Sequence, residues 1–214
     1  ITLGIADMSA IDLDAFRATR LEREPYDHLV VPGFLRPDAV RTIGADYPKI
    51  SKAGSYPLSE LKFGAAFAAL IEELRTPEIE TAFAKKFDID LAGRPTMVTV
   101  RGQCRAKDGR IHTDTKDKLI TVLVYFNDDW KNLDGRLRIL RSGNDIEDYA
   151  SEVPPRAGTL LAFRRSDRSY HGHTSFEGVR RVLQLNWVKD PRVVHREHIR
   201  HRYSARFKRL LQFS

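Results

Sequence analysis

The rhythm of apolar and polar positions changes near the middle of the chain. Before Pro95, apolar residues recur mostly at helical spacing. Residues 12–22 read as a first helix, with Leu13, Phe16 and Leu21 as its apolar stripe and Asp12 as its cap. A short strand follows over residues 25–35, closed by Pro32-Gly33. Residues 37–47 read as a helix with Pro37-Asp38 in its first turn and Pro48 as its stop. Two more helices are predicted over residues 58–75, carrying Phe63, Phe67 and Leu70, and over residues 77–87. After Pro95 the pattern shortens to β-favouring runs at 97–103, 119–126, 136–140, 159–163, 169–174 and 180–188, separated by Gly, Pro, Asp and Asn clusters. Strands at this spacing, with no helices between them, pair antiparallel in a sandwich or barrel. The pattern therefore predicts one domain: a helical layer packed on an antiparallel β core.

Composition narrows the class. At 214 residues with 42% hydrophobic content, the chain buries a sizeable core without staples. Its one cysteine, Cys104, excludes an intramolecular disulfide. No apolar run approaches the roughly 20 residues of a membrane span. The first residues lack the charged and apolar regions of a signal peptide, so a cytoplasmic location is expected; a start without Met reads as a trimmed end. The net charge of +7 is concentrated at the end: residues 189–214 hold eight Lys or Arg against Asp190 and Glu197. The rest is close to neutral, which argues against a basic groove across the surface, and no nucleic-acid partner is expected.

The chemistry is expected just before the run 119–126. His112-Thr-Asp114 places an imidazole and a carboxylate two residues apart, and in an extended segment such side chains share a face. Two metal ligands can thus come from one short piece of backbone, although the triplet alone is common in solvated loops.

Further along come Tyr125-Phe-Asn127, Trp130, Gly135-Arg-Leu-Arg-Ile139, the Pro155–Phe163 turn and strand, Tyr170-His171, and Arg181 to Trp187. With His112 and Asp114, this ordered set resembles the Fe(II)- and 2-oxoglutarate-dependent oxygenases of the prolyl-hydroxylase-like branch, over residues 96–188. The resemblance implies an α+β protein with a mainly β core, a double-stranded β-helix (jelly-roll) of antiparallel strands, supported by residues 1–95 and followed by a basic extension at 189–214. It implies His112, Asp114 and His171 as metal ligands and as the catalytic centre, with Fe(II), 2-oxoglutarate and O2 as cofactor and cosubstrates. Two histidines and one carboxylate on one face of a metal leave positions open for a keto acid and O2. The activity implied is oxidative decarboxylation of 2-oxoglutarate coupled to hydroxylation, or a related C–H oxidation, of a small molecule or a protein side chain.

The far carboxylate of 2-oxoglutarate needs a cation and hydrogen-bond donors if it is to be buried. Tyr125 is one candidate, on a face with Thr121 and Leu123. Arg181 is another, because it shares the more apolar face of its strand with Leu183, Leu185 and Trp187 and lies ten residues beyond His171. The Gly-x-Arg spelling after Gly178 points instead to Arg180, and the choice stays open. Against the family pattern, Arg136 stands where a second glycine is usual, which bears on substrate class.

Other readings compete. His171-Gly-His173-x3-Glu177 has a cupin-like spelling, without that motif's flanking glycines. His173 is expected at the pocket edge. Arg101, Gln103 and Arg105 alternate onto one face and are candidates to meet an anionic or polar substrate. His195, His198 and His201 sit among arginines, which favours a solvated basic helix over a metal site. That basic tail also supports a reading as a polyanion-binding protein, whose binding would be steeply salt-dependent.

Overall fold

The computed structural model describes residues 9–195. Four helices precede most of the β structure: α1 (Leu13–Ala18), α2 (Pro37–Ala45), α3 (Ala65–Glu73) and α4 (Pro77–Phe87). α1 begins as expected, with Asp12 Oδ1 accepting from the Ala15 amide at 2.9 Å. It ends early because Thr19 is extended and Glu22 pairs in a backbone bridge with His28. α4 matches its predicted limits: Thr76 caps it, Pro77 opens it, and Lys85 and Lys86 complement its last turn.

The single helix expected over residues 58–75 is instead a 3-10 turn at Leu58–Glu60, an extended link, and α3. Gly64 marks the break. Its amide donates to Asp46 O at 3.0 Å, and the Asp46 carboxylate accepts from the Ala66 amide at 2.7 Å, which caps α3 from a distant residue. A Cβ at Gly64 would lie 2.1 Å from the Asp46 carboxyl carbon, so glycine is required for the approach.

Among the described residues nine strands form two open sheets. The larger has the order β1 (His28–Val31), β7 (Leu160–Arg164), β4 (Lys118–Tyr125), β9 (Gly178–Val188), β3 (Thr96–Cys104), β2 (Tyr56–Pro57), and the smaller has β6 (Tyr149–Val153), β5 (Leu137–Leu140), β8 (His171–Gly172). All named pairings are antiparallel. β2 and β6 were not expected. The segment Tyr-Ala-Ser-Glu-Val of β6 has few β-favouring residues; it is tied to β5 by ion pairs from Glu152 to Arg138 and Arg136 across the pairing.

The larger sheet separates two cores. One face, with Val98, Val100, Ile120, Val122, Val124, Leu183, Leu185 and Trp187, packs under the helices. Leu123, Tyr125, Leu161, Phe163 and Val182 on the other face meet Leu137, Ile139 and Val153 of the smaller sheet. Phe83 joins the helices to the sheet, its ring centroid 4.4 Å from Phe16 and 5.0 Å from Trp187. Among the described residues no helix is long and apolar enough to cross a membrane. A helical turn at residues 191–195 follows β9; the basic helix expected beyond it lies outside the described residues.

Phe83 is fully buried, so Phe83→Ala should lower unfolding free energy by about 3–5 kcal/mol, read from guanidinium unfolding curves.

Candidate active site

The two sheets meet at one end through backbone pairing of β8 with the segment that carries His112. The His112 amide donates to His171 O at 3.1 Å and the His171 amide donates to His112 O at 3.0 Å. This bridge sets the imidazoles side by side, with ring centroids 4.3 Å apart. Each ring is oriented by a carbonyl: Nδ1 of His112 donates to Arg110 O at 2.7 Å, and Nδ1 of His171 donates to Ser169 O at 3.0 Å. A carbonyl only accepts, so both rings carry the proton on Nδ1 and present a lone pair at Nε2. Asp114 completes the group; one ligand atom from each of the three residues lies within 4.8 Å of the others. Two neutral imidazoles and a carboxylate suit a divalent first-row metal held from one side.

Asp114 is buried yet charged. Burial raises its carboxyl, but the Lys118 ammonium, the neighbouring His171, and hydrogen bonds from Lys118 and Thr121 outweigh it and hold the group at about 2. Lys118 Nζ is 2.8 Å from Oδ1, and the Thr121 hydroxyl donates to Oδ2. Thr121 accepts in turn from Asn186 Nδ2 at 2.8 Å, and Asn186 Oδ1 accepts from Gln184 Nε2 at 3.0 Å. The chain Gln184, Asn186, Thr121, Asp114 thus runs across the inner face of β9 and β4. Each carboxylate oxygen keeps a second lone pair, so these bonds leave room for a metal ligand bond.

The cavity beside this group has a volume of about 480 Å³ and is walled by Thr121, Leu123, Val182 and Gln184. Arg180 also lines it, and at and behind Arg180 two buried polar atoms have no hydrogen-bond partner among the described residues: Nη2 of Arg180 and the Tyr125 hydroxyl. The Arg180 guanidinium carbon lies 5.5 Å from the Tyr125 ring centroid, and Nε donates to Gly135 O at 2.8 Å. Gly135 has φ +71°, and a Cβ there would come within 2.9 Å of Phe176 and Trp130, so the Trp-Gly spacing holds the carbonyl that aims Arg180. Asn127 clips the strand ends together, accepting from the Arg181 amide at 2.8 Å and donating to Pro155 O at 2.7 Å.

Arg181 points the other way. Its guanidinium carbon is 5.9 Å from the Tyr47 ring centroid, on the helix side of the sheet. The parity argument for it misjudged which face is drier. The apolar face of β9 lies under the helices, and the face carrying Arg180, Val182, Gln184 and Asn186 lines the cavity. Gln184 and Asn186 were missed for the same reason, since both share parity with Arg180.

His173 stands at the cavity edge, as expected. Its Nδ1 donates to Thr174 O at 2.8 Å and its Nε2 is 3.8 Å from Cys104 Sγ, so it is outside the three-residue group. Glu177 is exposed and also outside it, which leaves the cupin-like spelling without a cluster among the described residues. The run Arg101, Gln103, Arg105 is divided by a bulge between Arg101 and Gln103. Arg101 faces the cavity, whereas Arg105 pairs on the surface with Asp108 at 2.9 Å.

Residues 102–189 match the model of the 2OG-Fe(II) oxygenase superfamily. Over that stretch, which is less than half of the chain, the sequence is similar to the catalytic domain of that superfamily. Among solved structures it is similar to a prolyl-4-hydroxylase of Pseudomonas putida (17% identity, TM-score 0.52, covering 83% of this chain and 90% of that one). It is also similar to the viral collagen prolyl hydroxylase of Paramecium bursaria Chlorella virus-1, in complex with 2OG (15%, TM-score 0.51, 76% and 96%). A third is HygX of Streptomyces hygroscopicus with nickel and 2-oxoglutarate bound (16%, TM-score 0.50, 75% and 82%). A search of curated proteins gave no match. The fold is the double-stranded β-helix of these structures, with both sheets open, and the matched stretch together with the three-residue donor set is in keeping with a dioxygenase using Fe(II), 2-oxoglutarate and O2.

The buried histidines give the metal-free protein a pH signature. Burial holds both His171 and His173 at about 4, the first against the raising effect of Asp114 and the second with help from the Arg180 charge. The unfolded chain binds those protons near 6.5, so between about 6.5 and 4 it carries more protons than the folded one. Stability should therefore fall as pH drops through that window and be level above it. Urea unfolding of metal-free protein at a series of pH values should show this, with a shallower slope in His173→Gln.

Proposed function

We propose that His112, Asp114 and His171 hold Fe(II), and that Arg180 with Tyr125 binds the far carboxylate of 2-oxoglutarate, for hydroxylation or related C–H oxidation of an organic substrate. Arg180 takes the role that sequence parity gave to Arg181. The observation that carries this reading is the pairing of two features on one cavity wall: a three-residue donor set, and the buried, unpartnered Nη2 of Arg180 with the unpartnered Tyr125 hydroxyl behind it. Bound there, Fe(II) and 2-oxoglutarate supply the oxidising chemistry with O2. The residues supply placement. The carbonyls of Arg110 and Ser169 fix the two imidazoles, and Thr121 and Lys118 fix Asp114. Arg180 and Tyr125 orient the keto acid along the wall formed by Leu123 and Val182, where burial strengthens each charge-assisted hydrogen bond.

The same reading takes residues 1–214 as one catalytic domain, with 96–188 as its core. The lone thiol, Cys104, is buried and free, which supports a cytoplasmic setting.

Mixing wild-type protein with Fe(II) and 2-oxoglutarate without oxygen should give a weak visible charge-transfer band, absent in His112→Ala. Arg180→Gln should weaken the 2-oxoglutarate titration of that band by roughly 10- to 100-fold, with Arg181→Gln close to wild type. The reverse order would overturn the assignment of Arg180, and succinate release unaffected by His112→Ala would overturn the metal site.

A further inference from the structure

The cavity holds more positive charge than iron and 2-oxoglutarate account for. Asp114 is matched by Lys118, and Asp108, the other carboxylate on the wall, is held by Arg105. Against these, Arg101, Lys107 and Arg110 line the cavity with no ion pair to any described residue. Arg101 is the most buried of the three. It lies on β3 opposite Val182, on the face it shares with Thr99, and it is partly buried. Burial and then the like charge of Arg180 depress its pKa, with the nearby Asp108 carboxylate opposing them in part. Its backbone is fixed, since Arg101 O accepts from the Tyr47 hydroxyl at 2.6 Å.

On the reading above, one carboxylate of 2-oxoglutarate goes to the metal and the other to Arg180. Neither needs Arg101. A neutral substrate filling the remaining space would strip water from this guanidinium and offer nothing in return, at a cost that buried unpaired charge makes large. An oxyanion would instead accept two parallel hydrogen bonds from its fork. We propose that the substrate oxidised is a small organic acid whose carboxylate or phosphate group is gripped by Arg101, with Lys107 and Arg110 at the mouth drawing it in. Thr99, Ser55 and Gln184, also on the wall, offer neutral hydrogen-bonding groups for the rest of such a molecule. The cavity of about 480 Å³ suits a keto acid together with a small acid. The surplus of cations at its mouth speeds capture of an anion in a manner that salt suppresses. This inference rests on the iron and 2-oxoglutarate reading for the role of the bound acid, though not for its binding.

The test titrates inorganic phosphate, acetate and uncharged acetamide, at matched ionic strength, into protein loaded with Fe(II) and 2-oxoglutarate under anaerobic conditions. Thermal midpoint and the visible band are followed together. Phosphate or acetate should raise the midpoint and acetamide should not; a stronger response to phosphate identifies a phosphate ester, and a stronger response to acetate a carboxylic acid. Arg101→Gln should weaken the responding acid by roughly 10- to 100-fold, Arg101→Lys by less, and the exposed Arg41→Gln not at all. In both Arg101 variants the 2-oxoglutarate titration of the band should match wild type, which also certifies their fold. No response of wild type to either acid, or an equal response in Arg101→Gln, overturns the proposal. So does a loss of 2-oxoglutarate binding in Arg101→Gln as large as in Arg180→Gln, because the guanidinium would then serve the keto acid. If wild type gives no band, the iron reading falls, and the midpoint comparison of wild type with Arg101→Gln still decides the anion site.

Discussion

A carboxylate kept charged inside the protein is the constraint on which the rest of the site depends. Asp114 is buried where the two sheets meet, and desolvation by itself would neutralise it. The Thr121 hydroxyl and the Lys118 ammonium prevent this, and each comes from β4 or its leading edge. β4 in turn is paired on both sides, by β7 and β9, so the donors to Asp114 sit on an interior strand of the larger sheet. The histidines are positioned by a different means, a reciprocal backbone bridge at the edge of the smaller sheet. The donor set is therefore assembled from two separately organised layers.

Much of this was readable before any coordinates. The helix limits of α4 follow from Thr76, Pro77 and the lysines of its last turn, and the strands β3, β4, β7 and β9 follow from β-branched runs between turn residues. His112, Asp114 and His171 came from the order of the motifs, and the structure gathers all three. The elements that escaped depend on distant partners. The break before α3 exists because Asp46, some twenty residues earlier, reaches Ala66. β6 exists because Glu152 finds Arg138 and Arg136 across the pairing.

Strand parity favoured Arg181, which lies on the face under the helices, for an instructive reason. Alternation along a strand separates two faces but does not say which face is the cavity. In a sheet covered by helices on one side, the drier face belongs to the helices. The cavity face carries the polar residues of β9, here Arg180, Gln184 and Asn186. A similar lesson applies to β3, where the bulge at Arg101 breaks the alternation and sends Arg101 and Arg105 to different surroundings.

The three candidate ligands are unequally exposed: Asp114 and His171 are buried, whereas His112 faces solvent. The bonds that orient them are all made within the protein, and Lys118 already balances the carboxylate. A cation held by these groups would meet solvent on the His112 side and would share Asp114 with Lys118, so the one exposed ligand marks the side from which the site would be filled.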